Sequence, residues 1–231
     1  MLEVYRECLV GLEGDEDRDL AELGRLGPKM KTLTFGLDHF LKMALPVERK
    51  HTRGLKDHEF LIETDDREGE GVGGKVPLTV VLDNLRSAFN VGAIFRTSEC
   101  LGVERIVLCG YTATPEDQQT QRSAMGTDRL VAWEWQRSTV DAVRALRAGG
   151  TRVVALETVR GKPYAHEYAF PREGCAVVLG NERHGLEADV LAECDQVVQI
   201  PCTGAKNSLN VGVAYGMCAY EIVRQWRWAG A

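Results

Sequence analysis

Apolar residues change their spacing along this chain near residue 77. Before that point they recur every three or four positions, as in short amphipathic helices, most clearly over residues 30–45. Beyond it, short β-branched runs alternate with helical stretches. Strands are predicted at 78–82, 105–109, 152–156, 176–179 and 197–200, and helices at 91–101, 139–147, 186–193 and 209–226. Such apolar strands separated by helices indicate an α/β fold, with a mostly parallel sheet covered on both faces.

The two patterns of apolar spacing predict a division of the chain. Residues 1–66 form a small helical N-terminal extension, residues 67–76 a glycine-rich acidic linker, and residues 77–231 an α/β domain. The longest uncharged apolar run has about seven residues, whereas a membrane span needs about 20. We therefore expect no membrane partner.

Charge is distributed unevenly. The net charge of −6 argues against a polyanionic partner for the chain as a whole. Residues 25–56, however, hold eight basic and two acidic side chains between two acidic segments. The basic block, with Phe35, His39 and Phe40 among its residues, suits contact with phosphates and bases. A solvated packing domain is the alternative.

The cysteines predict a reducing compartment. Seven are present, none in a CxxC pair, and no Cys/His cluster has the spacing of a zinc site. Because no secretory signal precedes them, we expect reduced thiols, a cytoplasmic protein and no metal.

Three polar segments follow predicted strands, at the edge of a parallel sheet where ligands bind. They read Asn90-x-Gly92-x-x-x-Arg96, Leu179-Gly-Asn-Glu182-x-x-Gly185 and Ile200-Pro-x-x-Gly204-x-x-x-Ser208-Leu-Asn210. Asn90 and Ser208 are each expected to cap the helix that follows. Taken singly, each segment is as well explained by caps and turns.

Taken together and in this order, the segments closely resemble the SpoU (TrmH-type) RNA 2′-O-ribose methyltransferases of the SPOUT superfamily. The likeness runs from about residue 80 to residue 223. It implies a SPOUT-type domain with a C-terminal trefoil knot, S-adenosylmethionine (AdoMet) as cofactor, S-adenosylhomocysteine as product, and a homodimer that completes the active site. The expected substrate is structured RNA, with tRNA slightly favoured over rRNA.

The resemblance also implies roles for individual residues. The cofactor-binding candidates are Gly180, Ile200, Leu209, Leu156, Thr158 and Cys202; the catalytic candidates are Arg96, Asn90, Glu182, Ser208 and Asn210. Arg96 matches an arginine at the ribose 2′-hydroxyl. Because a guanidinium holds its proton at neutral pH, we expect it to stabilise the developing alkoxide and orient a phosphate, from the neighbouring subunit if the dimer forms. Glu182 would pair with an arginine or receive a proton.

Candidates for RNA contact lie outside the three motifs: Arg86, Arg122, Arg129, Lys29, Lys31, Arg49, Lys50 and Arg53. For the polar segment 118–129, a surface helix and turn without a role in RNA binding is an equal alternative. Two other functions stay open at this point, namely a catalytically silent RNA-binding protein on the same fold and a methyltransferase acting on a base.

Overall fold

A computed structural model describes residues 2–25 and 74–228. The chain divides into two compact units, Met1–Thr64 and Asp65–Ala231. The predicted helix over 30–45 and the five candidate cations between Lys29 and Arg53 lie outside the described residues. The roles assigned to the extension, the linker and the domain stay predictions.

In the first unit, the described residues form two short helices. These are α1 (Leu2–Gly11) and α2 (Arg18–Gly24), joined by a turn. The carboxylate of Asp17 accepts a hydrogen bond from the backbone N–H of Leu20, at 3.4 Å, at the start of α2. The beginning of the chain is therefore helical, as its apolar spacing indicates.

The second unit is built on one parallel sheet of six strands. They are β1 (Val76–Asp83), β2 (Val103–Cys109), β3 (Ala132–Gln136), β4 (Arg152–Leu156), β5 (Cys175–Leu179) and β6 (Gln196–Val198). Their order is β3-β2-β1-β5-β4-β6, and every pairing is parallel. Strands β1 and β5 are central, and all of their residues except Pro77 are buried, which explains why their sequences are mostly apolar.

Helices cover both faces of the sheet, as the sequence predicts. One face packs against α3 (Ala88–Leu101), α4 (Gln118–Ala124) and α7 (Val211–Val223), around Phe95, Tyr215 and Ile222. The other face packs against α5 (Thr139–Ala148) and α6 (Ala188–Glu193). A short 3₁₀ turn, Thr127–Arg129, precedes β3, and a π turn, Arg224–Trp228, follows α7.

The sequence-based prediction misses β3. It gives a surface helix at the position of α4 only as one of two alternatives for the segment 118–129. All five residues of β3 are exposed, so this edge strand lacks the apolar run that marks the other strands. Helix α4 is mostly polar, with Thr120 and Ala124 buried. The remaining predicted strands and helices of residues 77–231 are found, with ends displaced by up to three residues. None of the described helices has the length and apolar character needed to cross a membrane.

Candidate active site

A pocket of about 370 Å³ opens at the carboxyl edge of the sheet. The loops that follow β4, β5 and β6 form its walls. All six predicted cofactor-binding residues line it, together with two of the predicted catalytic residues: Leu156, Thr158, Gly180, Ile200, Cys202, Leu209, Glu182 and Ser208. The topology thus brings residues from three separate segments to one cavity.

The loop after β5 folds back tightly on itself at this pocket. A Cβ atom on Gly180 would lie 2.5 Å from the backbone nitrogen of Leu186 and 2.6 Å from the carbonyl oxygen of Gly185, so this position excludes any side chain. Gly185 has a φ of +67°, and its N–H donates to the carbonyl of Asn181 at 2.9 Å. The carboxylate of Glu157 accepts from the N–H of Leu186 at 2.9 Å. These contacts fix a bare backbone wall beside the cavity.

Glu182 joins this loop to the start of helix α3. Its carboxylate accepts from the backbone N–H of Arg86 at 2.8 Å and of Ser87 at 3.1 Å, and from Nδ2 of Asn90 at 2.9 Å. Burial raises the pKa of Glu182, but these hydrogen bonds outweigh it and bring the pKa below its ordinary value. Glu182 is therefore a bound carboxylate and a poor proton acceptor. Its partners include no arginine guanidinium among the described residues.

Asn90 and Asn210 extend the contact across the edge of the sheet. The Nδ2 of Asn210 donates to Oδ1 of Asn90 at 3.1 Å, which completes a chain from Glu182 through Asn90 to Asn210. Both expected caps differ from those found. Ser87 caps α3 by accepting from the N–H of Asn90, and Asn210 caps α7 by accepting from Gly212 and Val213. Because Ser87 caps α3, the side chain of Asn90 is available to bind Glu182.

Arg96 lies apart from this chain of contacts. It is exposed on α3, and its guanidinium approaches Sδ of Met125 at 2.7 Å. Among the described residues it has neither an ion pair with a carboxylate nor a hydrogen bond to a residue that lines the pocket. Within one subunit the structure does not bring Arg96 together with Glu182 and Asn90.

The three described candidates for RNA contact occupy different places. Arg86, Arg122 and Arg129 are all exposed. The backbone of Arg86 holds Glu182, which places it beside the pocket, whereas Arg122 lies on α4 and Arg129 in the turn before β3. Arg86 is thus the one of the three with a direct contact to the candidate site.

Sequence reasoning missed several residues that shape the site. Asn181 donates from Nδ2 to the carbonyl of Asn84 and to the hydroxyl of Tyr111, both at 2.7 Å, and its Oδ1 accepts from the N–H groups of Arg183 and His184. Asn84 itself has a φ of +53°. Its place directly after an apolar strand, followed by a polar loop, is the signal that could have indicated a left-handed turn residue.

Comparison with known proteins agrees with this geometry. The family model described as "SpoU rRNA Methylase family" matches residues 77–220, which contain the pocket and the Glu182–Asn90–Asn210 contacts. The chain belongs to this family. The match bears out the family predicted from the three motifs.

Curated relatives in the family act on two kinds of RNA. The chain is 31% identical over 148 residues to the 23S rRNA (guanosine-2′-O-)-methyltransferase RlmB of Bordetella pertussis, covering 64% of this chain and 60% of that protein. It is 32% identical over 155 residues to the tRNA (guanosine(18)-2′-O)-methyltransferase of Escherichia coli K12, covering 66% of each. The chain thus spans about 60% to two thirds of the length of these relatives.

Solved structures show the same fold. The TrmH/SpoU tRNA modifying enzyme of A. aeolicus has a TM-score of 0.62 and 25% identity, covering 68% of this chain and 79% of that one. The SpoU methyltransferase AviRb of Streptomyces viridochromogenes, solved with AdoMet, has a TM-score of 0.61 and 30% identity, covering 68% and 60%. The α/β, SPOUT-type parallel sheet is therefore confirmed, while the trefoil knot stays a prediction.

Proposed function

We propose that this protein transfers a methyl group from AdoMet to the ribose 2′-hydroxyl of a specific nucleotide in structured RNA, with release of S-adenosylhomocysteine and of the hydroxyl proton to water. The observation that carries the proposal is the joining of three motif segments, through Glu182, Asn90 and Asn210, beside a pocket at the carboxyl edge of the sheet. Relatives that modify the ribose of guanosine, and a structural relative solved with AdoMet, support it.

The pocket has the character that AdoMet requires. Apolar side chains of Leu156, Ile200 and Leu209 suit an adenine ring, and the bare backbone at Gly180 allows close approach. Carboxylates of Glu157 and Glu182 at the same cavity suit a ligand with a positively charged sulfonium and amino group. When bound, AdoMet supplies a methyl group on a positively charged sulfur.

The chain's own residues divide the remaining work. Glu182, held ionised by two backbone N–H groups and Asn90, fixes the start of α3 against the pocket and does not accept the proton of the 2′-hydroxyl. Asn90 and Asn210 orient the ribose. Arg96 stabilises the alkoxide as charge develops and holds the adjacent phosphate, because this exposed guanidinium has no carboxylate partner among the described residues and is available for both tasks.

In this proposal the chain forms a homodimer, and Arg96 of one subunit reaches the pocket of the other. Helices α3 and α7 pack together, with Ala93 Cβ 4.0 Å from the Cβ position of Gly212. An apolar stripe of exposed Val213, Met217 and Tyr220 follows on α7. A second copy of the chain is the occupant that we propose for this stripe. The reason is that α3, the helix that packs on α7, carries Arg96, the predicted catalytic residue that neither lines the pocket nor joins the Glu182–Asn90–Asn210 contacts.

The substrate that we propose is tRNA, with rRNA as the alternative. The helical beginning of the chain, with the basic block over residues 25–56, favours a tRNA-directed enzyme. Lys29, Lys31, Arg49, Lys50 and Arg53 would contact phosphates and bind RNA in a salt-dependent manner. We also propose a cytoplasmic location, in keeping with an RNA substrate and free thiols.

Methyl transfer measured with the full chain tests this function. Labelled AdoMet is supplied with total tRNA or total rRNA, and the digested nucleosides are analysed by mass. We expect a 2′-O-methylated nucleoside, and a rate about 10²–10³ lower for Arg96→Ala, the loss typical of removing one stabilising donor. Arg152→Ala, at the opposite end of β4 from the pocket, is the matched control with normal activity.

Four results would each contradict part of the proposal. Methylation on a base would exclude ribose transfer, and a normal rate in Arg96→Ala would exclude its catalytic role. Tight RNA binding without AdoMet binding would identify a silent RNA-binding protein instead. A product found only in rRNA would overturn the choice of tRNA.

A further inference from the structure

Tyr111 has an exposed side chain that is nevertheless held in place by hydrogen bonds. Its side chain is 62% exposed, in the loop that follows β2. Its hydroxyl nevertheless accepts a hydrogen bond from Nδ2 of Asn181 at 2.7 Å, and its backbone N–H donates to Oδ1 of Asn84 at 3.2 Å. An exposed aromatic ring that is held at its hydroxyl and at its backbone has lost much of the rotamer freedom that binding would otherwise remove.

Trp135 on the neighbouring strand supports the same loop. Its indole N–H donates to the carbonyl of Gly110 at 2.9 Å, directly before Tyr111 in the chain. Gly110 has a φ of +62°, so the chain turns at this point. The backbone on both sides of the turn is therefore tied down, by Trp135 before Tyr111 and by Thr112, whose hydroxyl donates to the carbonyl of Leu82 at 3.1 Å, after it.

The ring lies next to the candidate active site. Its partner Asn181 is only 6% exposed, lines the pocket, and directly precedes Glu182. Glu182 in turn holds the backbone of Arg86. The cations Arg86 and Arg183 are exposed on these segments, and neither makes an ion pair with any residue in the described ranges. An exposed aromatic ring and two cations thus lie on segments that border the candidate site.

We propose that Tyr111 is a stacking platform for an unpaired base of the RNA, next to the nucleotide whose ribose is methylated. The inference rests on the proposed function. Aromatic rings bind unpaired bases by stacking on either face, and nearby arginines bind the flanking phosphates, so the occupant that fits is a single-stranded or looped segment of RNA. The hydroxyl bond to Asn181 sets the ring's position relative to the pocket.

Two substitutions separate the ring from its hydroxyl. Tyr111→Ala removes the platform, and we expect the Kd for total tRNA and the KM for RNA in methyl transfer to rise about ten-fold, with kcat and the Kd for AdoMet nearly unchanged. Tyr111→Phe keeps the ring and is expected to retain RNA binding within about two-fold. Trp133→Ala, another exposed ring on β3 but at its amino end, is the matched control.

Cross-linking tests the stacking contact without any need for catalysis. A single-stranded uridine-rich RNA carrying 5-bromouridine is irradiated with the full-length protein, and the modified peptide is mapped. We expect the cross-link on Tyr111. Because this readout does not depend on methyl transfer, a protein that cross-links at Tyr111 yet lacks activity would contradict the proposed function and leave the platform supported.

The opposite results overturn the platform. A cross-link confined to other residues, or RNA binding unchanged in Tyr111→Ala, would exclude a base contact. Equal weakening of AdoMet and RNA binding in both variants would mean that Tyr111 only supports the Asn181 loop through its hydroxyl.

Discussion

Glu182 illustrates how a single residue's surroundings decide its chemistry. As a carboxylate in a motif beside a cavity, it could act as a base or as an anchor. Three hydrogen bonds from Arg86, Ser87 and Asn90 favour the ionised form, and its pKa is below the ordinary value. A group so stabilised as an anion takes up a proton poorly, so its role is to anchor the start of α3.

Replacing Glu182 with Gln should therefore affect stability in a pH-dependent way. Because folding lowers the pKa of Glu182, the carboxylate stabilises the folded protein above its unfolded pKa of about 4.3, and this contribution is lost as the pH falls through the lower folded value. At pH 7 we expect Glu182→Gln to lower the free energy of unfolding by about 1 kcal/mol, discounted for the exposure of the side chain.

Denaturant unfolding of both proteins between pH 7 and pH 3 measures this difference. The difference between wild type and Glu182→Gln should shrink below about pH 4. Glu167→Gln is a suitable control, because it alters an exposed carboxylate that accepts from the N–H of Tyr164 and does not line the pocket. A difference that stays constant over the whole range would show that the charge of Glu182 is not what matters.

Single residues were predictable from the sequence where a motif names them, but their partners were not. The family resemblance names Glu182, Ser208 and the cofactor candidates, and the structure places these residues around one pocket, while their roles stay predictions. The resemblance could not reveal that Ser87 rather than Asn90 caps α3, because several polar residues at a helix start compete for that position. Asn181 and Tyr111 were missed because their contact joins two loops 70 positions apart.

At the scale of the element, the close packing of α3 on α4 depends on one glycine. A Cβ at Gly92 would lie 2.7 Å from the backbone nitrogen of Ala124, and closer still to Ser123 and Thr120. The glycine therefore allows the backbones of the two helices to approach.

Gly92→Ala should consequently destabilise the fold. We expect the free energy of unfolding to fall by about 1–3 kcal/mol, since the added methyl group must displace backbone. Gly216→Ala on α7 is the matched control, because its Cβ would meet Cγ2 of Thr97 at an ordinary 3.9 Å. That change should leave stability unaltered or raise it by about 0.5–1 kcal/mol.

Thermal or denaturant unfolding at one protein concentration compares the two variants. Similar stability in both would mean that α3 and α4 separate without cost, contrary to the packing described.

Elements as a whole were predictable where they are buried: the central strands were found from their apolar runs, whereas exposed β3 carries no such signal.

At the scale of the whole molecule, the proposed dimer depends on the exposed apolar stripe on α7. Val213, Met217 and Tyr220 are 52%, 50% and 54% exposed and recur at helical spacing. The sequence alone could not distinguish this stripe from buried core, because α7 is apolar on nearly every side. Its opposite side, with Tyr215, Cys218 and Ile222, is the part that packs on the sheet.

Charges on this stripe should separate the proposed dimer. In Val213→Asp/Met217→Asp we expect sedimentation to change from dimer to monomer at micromolar concentration, because an interface core tolerates unpaired carboxylates poorly. Methyl transfer should fall with it, while circular dichroism stays native. Leu130→Asp, at another exposed apolar position before β3, is the control. A persistent dimer in the double variant would exclude this face as the interface.

The pairing of β1 with β5 has a consequence for synthesis of the protein on the ribosome. Glu182 meets Arg86 across 96 positions of chain, and Asn210 meets Asn90 across 120. At about 5–20 residues per second, the start of α3 waits several seconds for these partners to be translated. The nascent chain therefore carries the Asn90 segment without its pocket until residue 210 has been translated, and AdoMet cannot guide the early stages of its folding.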